Sequence, residues 1–146
     1  MINSCGANQA IYNYEIFCEN VGSQSTNLIK VYSYAKTVEK AIEQAKHDAV
    51  HGILFKGFVG GNGCSSQAPI VRPEELNDNK EFFDNFFKGE YKSFVYLSSD
   101  GSVAPKDKLK VGEMYKVGVV ISVNKVELRK HLESQKIIKK LGEIFD

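Results

Sequence analysis

The chain has no tryptophan, no apolar run of membrane-spanning length and no strong excess of either charge. Each absence removes a class of explanation. A membrane-crossing helix needs about 20 consecutive apolar residues, and nothing here approaches that. A net charge of +1 gives no general attraction for nucleic acid or anionic membrane. Residues 103–146 carry ten Lys or Arg against six Asp or Glu, a bias too modest to define a basic domain. Only four residues precede Cys5, so a basic leader and an apolar stretch cannot fit before it. Without tryptophan, nine Phe and seven Tyr must supply the bulky core of a 146-residue chain, the size of one ordinary domain.

What is present reads as alternating strands and amphipathic helices. Between Ile11 and Val21, Tyr12, Tyr14, Ile16 and Cys18 fall on one side of an extended chain and Asn13, Glu15, Phe17 and Glu19 on the other. A turn at Gly22–Ser25 returns this strand to a second, Leu28–Ala35, as a hairpin. Thr37 caps a helix in which Val38, Ala41, Ile42, Ala45, Ala49 and Ile53 recur at helical spacing, with Gly52 weakening or ending it. A second helix starts near Asn77 or Asp78 and presents Phe82, Phe83, Phe86 and Phe87 as one aromatic face. Residues 91–98 form a third strand, followed by a long polar connection containing Pro105. Tyr115–Val123 alternates most strongly and belongs at the sheet centre. Asn124 then caps a last helix with Glu127 at the capping-box position and Leu128, Leu132, Ile138 and Leu141 as its stripe. The order ββααββα predicts a single α+β domain over 11–146: a two-layer sandwich, mainly antiparallel, with helices on one face and residues 1–10 as a tether.

Four stretches invite chemistry. In residues 57–68, GFVGGNGCSSQA, glycines crowd as they do in phosphate loops, but the lysine of the Walker form is missing. So is the third glycine of the dinucleotide form, and no helix opens behind the loop; it reads as a flexible surface connection. His47 and His51 are one turn apart in HDAVH, close to the HExxH zinc helix, with Glu74 or Glu75 as a conceivable third ligand. Aspartate at the glutamate position is one methylene short for a general base, and both histidines fall opposite the alanine stripe. The expectation is two solvated histidines and no metal. Cys64 as a nucleophile needs a histidine base, and nothing local positions His47, His51 or His131. Arg129, Lys130, Lys136, Lys139 and Lys140 are interleaved with Glu127, Glu133 and Glu143 and lack stacking aromatics, so a solvated helix face is expected and no nucleic acid. No cofactor motif is complete.

Ile2-Asn3-Ser4-Cys5-Gly6 resembles the end of a bacterial lipoprotein signal, in which the cysteine is lipidated and becomes the mature N-terminus. If Cys5 carries a lipid, Cys18 and Cys64 remain as a pair that an exported domain would oxidise, although Cys18 on the apolar side of its strand also suits a buried free thiol. The alanine-rich helix running into GILFKG, the PIV segment, EFFDNFF and YKVGVVISVNKVELRKHLE together resemble uncharacterised exported lipoproteins of Bacteroides-type bacteria. That resemblance implies a non-enzymatic cell-envelope domain, membrane-tethered through Cys5, facing the periplasm or cell surface and serving assembly or protein interaction. Without export the protein is cytoplasmic. The competing class is a small-ligand-binding protein or enzyme with a pocket beside residues 57–68.

Overall fold

The computed structural model describes residues 13–20, 27–61, 64–98 and 102–140. In chain order these form β1 (Glu15–Asn20), β2 (Asn27–Ala35), α1 (Val38–Phe55), α2 (Pro73–Asp78), α3 (Lys80–Phe86), β3 (Val95–Leu97), β4 (Lys108–Val111), β5 (Met114–Val123) and α4 (Lys125–Ser134). Single 3-10 turns occupy Glu90–Phe94 and Pro105–Asp107. The fold is a single α+β domain on one antiparallel five-stranded sheet of order β1-β2-β5-β3, with β4 also pairing β5. Because β2 runs along the whole of β5, from Ala35 opposite Tyr115 to Asn27 opposite Val123, β3 and β4 follow one another along the other edge.

Alternation decides which side of the sheet is covered. Ile29, Val31, Val117, Ile121 and Val123 are fully buried in one phase, and α1 lies across that face of β2 and β5. Ala41, Ala45 and Ala49 are fully buried on α1, so the helix axis can approach the sheet closely. Phe83 and Phe86 of α3 and Leu128 and Leu132 of α4 complete the core. Each such fully buried aliphatic or aromatic side chain contributes about 1.5–3 kcal/mol from the removal of apolar surface from water. Thr37 caps α1 by accepting from the Lys40 backbone N–H at 3.1 Å, and Asn124 caps α4 by accepting from that of Glu127 at 3.2 Å.

Several expectations are corrected. The hairpin partner of β5 was read as a polar connection; β4 is exposed throughout and is a strand only because Gly112-Glu113 returns it onto Met114–Val117. The strand expected over 91–98 is a 3-10 turn followed by three extended residues. The second helix is two short helices beginning at Pro73. Gly52 does not end α1: β1 crosses there, and a Cβ would run into the Ile16 side chain. A mid-helix glycine costs about 1 kcal/mol relative to alanine, offset here by the close approach of strand and helix. Ile138 lies beyond α4, after Lys136 turns the chain with φ 59°. Leu141, the turn at 22–25 and the tether at 1–10 lie outside the described residues.

Candidate functional site

Asp48 is the first group requiring an account, because it is 5% exposed on a helix otherwise buried by small apolar residues. An ionised carboxylate buried without partners would cost several kcal/mol, so its hydrogen bonds must be complete. The hydroxyl of Ser33, itself fully buried, donates to Oδ2 at 2.7 Å. Gln44 Nε2 donates to Oδ1 at 2.9 Å, and His47 Nδ1 lies 3.2 Å from the same oxygen. Serine, aspartate and histidine thus meet in space, but not as a hydrolytic triad. In a triad the imidazole takes the serine proton; here that proton goes to the carboxylate, and no substrate can reach a fully buried hydroxyl. Ser33 follows Ile29 and Val31 in the inward phase of β2, and that polar residue in an apolar phase was the available signal.

One turn along α1, His51 Nδ1 meets the Tyr14 hydroxyl at 2.5 Å. Burial pushes the Tyr14 phenol well above its ordinary pKa, with Asp48 adding to the effect, so the phenol stays neutral. Burial also lowers the His51 pKa, reinforced by His47, so its neutral form is favoured. The two imidazoles stack with centroids 6.1 Å apart, and Phe87 lies 4.7 Å from His47 and 5.8 Å from His51. The two histidines expected in solvent are instead half-buried, with the His47 side chain still 33% exposed. The face opposite the alanine stripe is covered a second time, by Phe55 of α1 itself and by α3 and the residues after it. A cavity of about 300 Å³ remains between them, lined by His47, His51, Phe55, Leu76, Phe83 and Phe87 with the exposed Asp84. Among the described residues no three His, Cys, Asp or Glu side chains are placed to hold a metal ion. Glu75 instead accepts from the backbone N–H of Arg72 at 2.8 Å, and Glu74 lies 3.4 Å from that arginine's side chain.

Residues 57–61 and 64–68 are not a loose connection either; Asn62 and Gly63 lie outside the described residues. Phe58 and Gln67 exchange backbone hydrogen bonds at 2.9 Å, as do Gly61 and Cys64 at 3.1 and 2.9 Å. The Ser66 hydroxyl accepts from Gly60 N–H at 2.8 Å. A Cβ at Gly60 would stand 2.5 Å from the Cys64 carbonyl oxygen and 2.7 Å from Ser66 N. The glycine therefore lets two backbones meet, and its N–H is already used rather than offered to a phosphate. Cys64 is joined to Cys18 as a disulfide, with Cα atoms 6.4 Å apart and a sequence separation of 46. This removes Cys64 as a nucleophile and ties the edge strand β1 to the segment following α1. His131 sits elsewhere, 3.4 Å from a Glu90 carboxylate oxygen and among Phe82, Phe86 and Phe94. Cys5 lies outside the described residues.

Directly after that segment, Pro69, Ile70, Arg72 and Glu75 line a cavity of about 290 Å³ with Arg129, Ile138 and Lys139. It opens beside a larger cleft of about 630 Å³ that shares Arg72, Glu75, Ile138 and Lys139. Arg129, expected on a solvated face, has a side chain only 24% exposed. No protein family matches the chain, and neither does any curated protein or solved structure.

Proposed function

We propose that the protein is a non-enzymatic domain of the cell envelope, tethered through a lipid on Cys5 and serving assembly or protein interaction. The observation that carries this reading is the Cys18–Cys64 disulfide, because such bonds persist in oxidising compartments and are rare where thiols are kept reduced. A surface suited to a partner supports it further. On the sheet face turned away from α1, Phe17, Tyr96 and Leu109 are each about half exposed, in register with Lys30, Ser122 and Lys116. Three strands, β1, β3 and β4, thus contribute exposed apolar residues to one face.

Growth with a palmitate analogue in cells making the protein from its natural gene is expected to label a band that Cys5→Ser abolishes; an unlabelled protein overturns the tether. Thiol titration of denatured, never-reduced protein is expected to find no more than one free cysteine. Three free thiols overturn the compartment. A second reading, a small-ligand-binding protein with its pocket beside residues 57–68, is favoured by the cavity that begins at Pro69.

A further inference from the structure

We propose that the cavity between Pro69–Arg72 and Arg129–Lys139 binds a small organic anion, an oxyanion head carried on a short apolar body. The inference deepens the second reading and is independent of export. It starts from an imbalance of charge. Among the residues lining the cavity Arg72, Arg129 and Lys139 are cationic and Glu75 alone is acidic, while Glu74 and Glu133 stand 3.4 Å from the two arginines without lining the cavity. Glu75 is itself engaged, one oxygen accepting from Arg72 N–H at 2.8 Å and the other 3.4 Å from the Arg72 guanidinium. Arg129 is the least satisfied of the cations. Its Nε is buried and 3.4 Å from Glu133 Oε2, an ion-pair separation without hydrogen-bond alignment. Lys139 forms no ion pair among the described residues.

The guanidinium fork matches a carboxylate or phosphate edge with two parallel hydrogen bonds, which a lysine cannot supply. Pro69, Ile70 and Ile138 complete the lining, the last only 6% exposed. A fully polar anion would leave these side chains uncovered, whereas a short hydrocarbon or ring would cover them. The volume, about 290 Å³, is that of a small ligand rather than a peptide.

Both walls are fixed before any ligand arrives. Ile70 and Val71 donate backbone hydrogen bonds to Ile53 and Leu54 at the end of α1, at 3.4 and 2.9 Å. On the other side Lys136 N–H donates to Glu133 at 3.0 Å and Ile137 N–H to Leu132 at 2.9 Å, which turns the chain back after α4 and sets Ile138 against the cavity. Binding at a preformed site avoids the cost of ordering it.

The test is a titration of the full chain followed by backbone amide NMR, with hexanoate, phenyl phosphate, inorganic phosphate and hexanol as probes. Saturable shifts are expected at Ile70, Arg72, Ile138 and Lys139 with hexanoate or phenyl phosphate. Arg129→Gln should weaken that binding about tenfold or more, as expected for losing a charged bidentate contact. Lys139→Gln should weaken it about threefold, since that ammonium is partly solvated. Hexanol should bind at least about tenfold more weakly than hexanoate. No saturable shift at those amides with either organic anion overturns the proposal, as does hexanol matching hexanoate. Inorganic phosphate matching phenyl phosphate overturns the apolar half. If Arg129→Gln disturbs the fold, the Lys139→Gln chain decides: unchanged affinity overturns the site. Lipid labelling and thiol counting do not depend on this titration, so either reading can fail alone.

Discussion

The polar regions around Asp48 and around Arg129 differ in how completely their groups are used. Around Asp48 the partners close on one another: the carboxylate takes hydrogen bonds from Ser33 and Gln44 with His47 beside it, and the next histidine is held by Tyr14. Around Arg129 they do not close: its buried Nε lies 3.4 Å from Glu133 without a hydrogen bond, and Lys139, on the same cavity, has no ion pair among the described residues. Buried polar groups that satisfy each other specify a packing arrangement, whereas groups left incompletely matched have capacity for something outside the chain. The apparent catalytic residues, serine, aspartate and histidine, belong to the first kind, and the arginines that look like surface charge belong to the second.

Breaking the Cys18–Cys64 link has the largest expected effect. Replacing Cys18 and Cys64 together with alanine should lower unfolding free energy by about 4 kcal/mol in the chain-entropy account of a closed loop of this length; urea denaturation of the two proteins measures it. Asp48→Ala comes next. It strands the buried Ser33 hydroxyl and frees Gln44, with an expected loss of about 2–3 kcal/mol read from the same curves. A change within experimental error would mean that the node is not closed.

A pH series tests the histidine in that region. The fold depresses the His51 pKa through burial and His47, so the unfolded chain binds more protons between the folded value and the ordinary value of about 6.5. Stability is then complete above the ordinary value and falls as the pH drops through that window. His51→Gln should flatten this slope in denaturation curves collected from neutral to mildly acidic pH; an unchanged slope assigns the acid sensitivity elsewhere. The smallest effect belongs to the open region. Lys136 is the one non-glycine described residue with positive φ, at 59°, a conformation that glycine adopts without steric cost. Lys136→Gly should raise the melting free energy by up to about 1 kcal/mol, and calorimetry reads the sign.

Much of the framework was legible because it depends on local pattern. The alternation of Tyr115–Val123, the Thr37 and Asn124 caps and the phenylalanine face all report contacts their own periodicity dictates. What was hidden depends on a neighbour distant in sequence. Lys108–Val111 is exposed at every position and is extended only because β5 pairs with it, although the Gly-Glu turn ahead of Met114 was there to be read. A helical wheel drawn on one alanine stripe assumes one buried side; α1 has two, and His47 and His51 lie on the second. The cavity at Arg129 joins residues 69–75 to 129–139, which no spacing rule connects. The pairing of Cys18 with Cys64 stood among the alternatives because only those two remain once Cys5 is set apart, and the structure brings them together.

The same disulfide has a mechanical consequence. β1 is an edge strand whose first pair is Glu15 with Tyr32, so a pull on the chain ahead of it opens the ladder like a zipper, one pair at a time. Peeling of this kind must undo the Tyr14–His51 hydrogen bond and the Ile16 packing at Gly52 before it reaches Cys18. There the load leaves the edge and passes through sulfur to Cys64, whose segment is laced to itself and anchored to the end of α1. A force applied at the N-terminal side is thus passed to the end of α1 rather than borne by the edge strand alone.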